Sequence, residues 1–394
     1  MFSKWFIRLY IVGFLFLLFA PGIGMLFDIR TTANLYGVAE AGEPPAFSAN
    51  RYISGEFQTD YDNWIAKAHA FHGDFIRLNN EVRFNAFGAG NGVTIVGKSG
   101  ELFEEKYILE YRGLSSEWYQ TQEKMDALIS DLKEIQTWLV AQGKPMAVLI
   151  TPSKASIFPE AIPTRYNYRE QLYEEPDRAY HKLIAALDQY DIPYVDGAAL
   201  LKGEHPYPVF ATTSVHWTPY AALTALQELQ RTVFEDAWPT LSANNYTVLT
   251  TPTDTEELDG YQLLNLFSPH TRLEKSFYVP ELSVSFPVGC NKTVFFQGGS
   301  FMWKMINLLT ESNAFDKIFS VYYDQTLSEH ISGEQIDFAS FSDSETVSCL
   351  FEAVTQSDSV VFEVNEQYAS NFSSGFISHL AEYIRSQENA ENGI

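Results

Sequence analysis

Two short strings in this chain hold residue types suited to nucleophilic chemistry. Val294-Phe295-Phe296-Gln297-Gly298-Gly299-Ser300-Phe301 runs from an apolar, strand-like stretch through two glycines to a serine that opens a helix. Glycine lets the chain turn sharply, and the first N–H groups of a helix have no partner within it. A serine at that point presents its hydroxyl among exposed N–H donors, which an acyl-transfer nucleophile needs to stabilise a developing oxyanion. On this reading Ser300 is the nucleophile, and the N–H groups around Gly299 and Ser300 are the oxyanion donors. A serine that merely caps a helix writes the same string. The second string, Thr213-Ser214-Val215-His216-Trp217-Thr218, lies just before another helix start. Histidine is the commonest general base near neutral pH, so His216 is the candidate base. Its plainer reading is a packed or capping side chain.

The elements around these strings decide whether they can meet. Met146 to Ile150 is a short apolar run ending at Thr151-Pro152, and Ile192 to Val195 ends at Asp196. Val294 to Phe296, Ile318 to Tyr322 and Val360 to Val364 read as further strands. Helical periodicity covers Ser115 to Gln142, Arg178 to Tyr190, Pro219 to Phe234, Phe301 to Thr310 and Asn371 to Arg385. Strands alternating with amphipathic helices predict an α/β fold with a parallel sheet covered on both faces. Functional residues in such sheets gather beyond the C-terminal strand ends, which singles out Thr151, Asp196 and Gly298-Gly299-Ser300. Upstream, Phe57 to Phe87 is helical and aromatic, and Val93 to Val96 resembles a short strand.

Bulk properties narrow the partners. The 394 residues carry a formal charge of −24, which argues against nucleic acid, whose binding needs clustered Lys and Arg. Phe6 to Phe27 is apolar and about long enough to span a bilayer, with Lys4 and Arg8 at its start. Basic residues on that side place the N-terminus in the cytoplasm and the remainder outside. An uncleaved anchor is the expected reading and a cleaved signal peptide its rival. The expected division is residues 1–27 as cytoplasmic start and transmembrane anchor, 28–56 as linker, and 57–394 as the extracytoplasmic domain. Export permits a disulfide between Cys290 and Cys349, with two buried thiols as the alternative. There is no His-x-x-x-His pair, cysteine cluster, phosphate loop or dinucleotide fingerprint, so neither a metal nor a nucleotide cofactor is expected.

Taken together the strings resemble the SGNH-hydrolase-like acetyltransferases of the alginate O-acetylation proteins, the AlgJ/AlgX-like family. In that family a Gly-Asp-Ser-Phe turn supplies the nucleophile and a preceding Asp-x-His-Trp motif supplies acid and base. The matching positions are Gly298-Gly299-Ser300-Phe301 and Ser214-Val215-His216-Trp217. Ile95 to Phe103, Thr151-Pro152-Ser153-Lys154, Val195-Asp196 and Phe362 to Glu366 are similar as well and fall in the same order. The resemblance implies an SGNH-hydrolase-like domain, an acyl-serine intermediate on Ser300 with His216 as base, and an exopolysaccharide acceptor. It also implies a membrane-bound O-acyltransferase as acetyl supplier. Lys154 becomes a candidate for a structural or substrate-contacting role near the site and Trp217 a candidate sugar platform, against plainer readings as a solvated lysine and a packing residue.

Two positions depart from the family pattern: Ser214 stands where the acid is expected, and Gly299 beside the nucleophile. An aspartate there would orient the imidazole and stabilise its cation. Ser214 brings no charge, so three readings stay open: a Ser300–His216 dyad, a carboxylate from elsewhere with Asp196 as one candidate, or a non-catalytic protein that binds glycan or scaffolds an acetylation complex. Hydrolysis by an acetyl esterase would use the same residues.

Overall fold

The computed structural model describes residues 4–27, 29, 35–38, 41–114, 121–167, 178–249, 256–267, 277–285, 292–323, 326–331, 334–340 and 344–391. Contacts divide the chain into two compact units. One comprises 1–95 with 261–271, the other 96–260 with 272–394.

The first unit is helical. Helix α1 (Lys4–Leu26) is apolar enough and, at 23 residues, long enough to cross a membrane by length and composition. The aromatic stretch expected as one helix is two, Glu56–Ala68 and His72–Phe87. The break falls where His69 is extended and Phe71 takes a left-handed φ of 66°, a conformation that cannot continue a helix. Ala49–Ser54, inside the stretch read as linker, is also helical and is capped by Ser48. Leu263 and Leu264 are stitched on by side-chain amides: Asn80 Nδ2 donates to Leu264 O (2.8 Å) and Asn91 Nδ2 to Leu263 O (2.7 Å).

The second unit is built on a seven-stranded sheet. Its strands are β1 (Met146–Thr151), β2 (Tyr194–Asp196), β3 (Thr293–Gly298), β4 (Lys317–Tyr322), β5 (Thr326–Ile331), β6 (Glu334–Ser340) and β7 (Ser359–Asn365). They lie in the order β6-β5-β4-β3-β7-β1-β2. The five strands from β4 to β2 are parallel, while β5 and β6 extend the sheet antiparallel. The expected parallel sheet is present in these five strands, and β5 and β6 make the whole sheet mixed. Antiparallel neighbours need only a tight connection, whereas parallel ones need a crossover. Polar residues hid β5: Ser328, Glu329 and His330 are buried, with His330 Nε2 paired to Ser320 Oγ (2.9 Å) and Glu329 to Lys317.

Helices flank this sheet. Val148, Ile150, Phe295, Val321 and Phe362 share a core with α2 (Gln122–Ala141), α3 (Ala179–Gln189), α6 (Ser344–Gln356) and α7 (Phe376–Glu391). Alternation along a strand turns Phe296 to the opposite face, where it meets Trp238 (6.2 Å between ring centroids). Helices α4 (Pro219–Leu229) and α5 (Met302–Glu311) pack against each other. The expected start of α2 at Ser115 or Ser116 lies outside the described residues; Thr121 is the residue that caps it. Cys290 also lies outside them, and Cys349 is exposed on α6. A buried cluster ties the ends of β1 and β7 together: Arg178 holds Glu110 (3.0 and 2.8 Å) and Glu366 (2.8 Å), and Glu366 accepts the Ser153 N–H (2.7 Å).

Candidate active site

The site assembles beyond the C-terminal ends of β3, β7 and β1, where parallel strands leave a crevice. Strand β3 runs out at Gly298, and the chain turns through Gly299 and Ser300 into α5. Both glycines are dictated by their neighbours. A Cβ on Gly298 would stand 2.5 Å from Glu363 Oε2, closer than atoms can approach. One on Gly299 would lie 3.3 Å from the Tyr323 ring, a tight contact that the ring would have to relieve by a few tenths of an ångström. Trp217, fully buried, donates its indole N–H to Phe301 O (3.0 Å) and so ties the histidine segment to the nucleophile turn.

That segment is held from several sides. Phe210 and Trp217 form an antiparallel bridge, and the Thr218 N–H donates to Val209 O (2.9 Å) before Thr218 caps α4. Beneath it lies Lys154, without solvent exposure. Its ammonium donates to Ala211 O (2.7 Å), Thr212 O (3.0 Å) and Ser214 O (3.0 Å) and pairs with Glu101 (2.8 Å). A buried ammonium needs such oxygen partners. The four contacts fix the loop that leads into His216.

The imidazole is bracketed on both nitrogens. Nε2 lies 2.7 Å from Ser300 Oγ, and Nδ1 is hydrogen-bonded to Asp259 Oδ2. A carboxylate only accepts, so Nδ1 carries the proton and Nε2 accepts the Ser300 hydroxyl. Asp259 opens the helical turn Asp259–Leu263, and its other oxygen accepts the N–H groups of Val215 (2.9 Å) and Gly260 (2.6 Å). Burial pushes its carboxyl up, but the His216 hydrogen bond and charge, the Val215 N–H and the Ser214 hydroxyl outweigh it. Net, its pKa is lowered. Gly260 is needed here because a Cβ would come within 2.8 Å of Thr213 O.

Several expected roles change. Ser214 does not touch the ring: its hydroxyl accepts the His216 N–H and bonds the His216 carbonyl (3.0 Å each), within reach of Asp259. Asp196, weighed as a substitute acid, instead caps the next helical turn through Ala198 and Ala199 and accepts from Tyr180 (2.9 Å). Lys154 and Trp217 are sealed from solvent and have no surface for substrate. The Gly299 N–H is already used, donating to Glu363 Oε2 (2.7 Å), so it is not an oxyanion donor. The Ser300 N–H has no acceptor among the described residues. Among them there is also no cluster of His, Cys, Asp or Glu able to hold a metal.

Glu363 was not singled out from the sequence. It is fully buried behind the nucleophile turn, where burial raises its carboxyl to about 7 despite the bonds from Thr151 (2.5 Å) and Gly299 and the nearby His216. Between pH 4.5 and about 7 the folded protein keeps a proton that the unfolded chain releases, so stability falls as pH rises through this window. At 1.36 kcal/mol per pH unit the loss is about 3 kcal/mol. Glu363→Gln is expected to remove this slope; denaturant titrations of both proteins from pH 4.5 to 8 check it, and parallel profiles would contradict it.

The mixed sheet flanked by helices is an SGNH-like α/β fold. Residues 95–283 match the family model described as the SGNH hydrolase-like domain of acetyltransferase AlgX, a stretch that contains His216 and Asp259. Over that stretch the chain is similar to the AlgJ/AlgX-like acetyltransferases. Solved structures similar to it include the O-acetyltransferase domain of Pseudomonas putida AlgJ, with 17% identity over 74% of this chain and 99% of that one (TM-score 0.42). Pseudomonas aeruginosa AlgX has 15% identity over 73% of this chain and 67% of that one (TM-score 0.45). No curated protein sequence matches the chain.

Proposed function

We propose that the chain is an O-acetyltransferase that passes an acetyl group through acyl-Ser300 to hydroxyls of an extracytoplasmic polysaccharide. The observation that carries this reading is the Asp259–His216–Ser300 line, which supplies nucleophile, base and orienting carboxylate in one geometry. Ser300 Oγ attacks the carbonyl carbon of an acetyl ester while its proton passes to His216 Nε2. The oxyanion collapses, the bond to the leaving oxygen breaks, and the imidazolium returns the proton to that oxygen. A sugar hydroxyl then gives its proton to Nε2 and takes the acetyl group, restoring Ser300. Asp259 keeps the ring in the required tautomer and stabilises the cation in both halves.

Support for the reaction class comes from the match of residues 95–283 to the SGNH hydrolase-like domain of acetyltransferase AlgX; the polysaccharide acceptor is what resemblance to that family implies. Helix α1 would anchor the protein in the membrane, and a membrane-bound O-acyltransferase would supply the acetyl group. The net charge of −24 favours a neutral glycan over a uronate polymer. The scaffold reading rests on Ser214 in place of an acid; the carboxylate of Asp259 on His216 supports the catalytic reading instead. The test is to load the full-length protein with p-nitrophenyl acetate, add neutral or uronate polysaccharide, and read ester signals on the polymer by NMR. Acetylated polymer that depends on Ser300 is expected. Release of acetate alone, with every polymer left unmodified, would contradict transfer and make the protein an esterase.

A further inference from the structure

A cavity of about 20 Å³ lies beside Ser300, lined by Tyr107, Gln297, Gly299, Tyr323, Tyr368 and Asn371 among others; His216 is not part of its wall. That is room for roughly one water-sized group. His216 must reach both the leaving and the incoming oxygen, so those oxygens approach on the imidazole side. The remaining substituent of a carbonyl held on Ser300 needs space elsewhere, and this cavity is space that adjoins the nucleophile. We propose that it is the acyl pocket, sized for the methyl of an acetyl group, and that Tyr323 sets its length. This inference rests on the acyl-Ser300 reading above.

The wall formed by Tyr323 is fixed in place. Its backbone takes a left-handed φ of 55°, rare for a bulky residue. Its N–H donates to Gly298 O (2.8 Å), and its carbonyl accepts Gln297 Nε2 (2.7 Å), so both ties run to the nucleophile strand. The ring stands edge-on to Tyr368 (6.5 Å between centroids), whose hydroxyl is held by Lys106 Nζ (2.9 Å), itself paired with Glu104 (2.8 Å). Strain held by several contacts at one point is a mark of a functional constraint. Gly299 is the complement: a side chain there would meet the ring, so the glycine lets Tyr323 close in beside the nucleophile. The one position of the turn that departs from the related Gly-Asp-Ser motif is therefore the one that admits this wall.

Acylation forms the Ser300 Oγ–acyl bond and breaks the bond to the leaving phenolate; the proton lost by Ser300 reaches the solvent through His216. The experiment measures kcat/KM of the full-length protein for p-nitrophenyl acetate, propionate and butyrate, with intact mass as a second readout. Each misfitting methylene is expected to cost about 10-fold or more. Acetate should therefore exceed butyrate by about 100-fold. Tyr323→Ala and Tyr368→Ala should each narrow that ratio, whereas Tyr323→Phe should keep it. Equal acylation of wild type by acetate and butyrate would overturn the proposal. So would a steep preference that neither alanine variant relaxes. If Tyr323→Ala fails to fold, the wild-type ratio and Tyr368→Ala decide. No mass gain from any ester would instead sink the acyl-serine reading on which the pocket depends.

Discussion

Ser300→Ala is expected to lose ester acylation by a factor on the order of 10⁶, because no other group near His216 Nε2 replaces the nucleophile. The change removes one oxygen from a half-buried turn whose backbone is held by Gly298, Gly299 and Trp217, so the fold should persist. Intact-mass measurement after incubation with an activated acetyl ester reads the result without a coupled assay. Wild type should gain a single acetyl group and the variant none. Acetylation of Ser300→Ala at the wild-type rate would place the nucleophile elsewhere.

Asp259→Asn is expected to lower kcat by about 10⁴-fold while leaving the protein folded. The reason is the tautomer. An asparagine amide can donate to Nδ1, which moves the ring proton to Nε2, and a protonated Nε2 no longer accepts the Ser300 hydroxyl. Stopped-flow release of p-nitrophenol gives the acylation rate directly. Because the Ser214 hydroxyl lies within hydrogen-bond reach of Asp259, an acid at position 214 would enter the same neighbourhood. Ser214→Asp in the Asp259→Asn background should therefore recover part of the lost rate, whereas Ser214→Ala should not.

Ser300 and His216 stood out in the sequence because each lies in a short string at an element boundary. Two glycines follow an apolar strand just before Ser300, and Thr218-Pro219 announces the helix that follows His216. The acid was not legible. Asp259 is 43 residues from His216, and an Asp-Gly pair reads as a turn. Tertiary contacts bring the two together: Asp259 accepts the Val215 N–H (2.9 Å), and Gly260 leaves room for Thr213 O. For Lys154 the structural reading is the one its contacts fit, not substrate contact or solvation. Lysine at a strand end is ordinarily solvated, and nothing local reveals three carbonyls converging on it. Strands β3 and β7 are apolar runs buried on both faces, as parallel strands must be, whereas β5 carries a buried Ser-Glu-His run that mimics a surface loop. Glu363, at the centre of an apolar strand, gains meaning only from the turn it supports.

Asp259, and no other carboxylate among the described residues, completes the arrangement on His216 and Ser300 in this proposal. The most direct test is the single-turnover acylation rate by p-nitrophenyl acetate of Asp259→Asn beside Asp196→Asn. The geometry predicts collapse of the first by about 10⁴-fold and a near wild-type rate for the second, whose carboxylate serves only a helix cap and Tyr180. An unimpaired Asp259→Asn, or loss confined to Asp196→Asn, would contradict it.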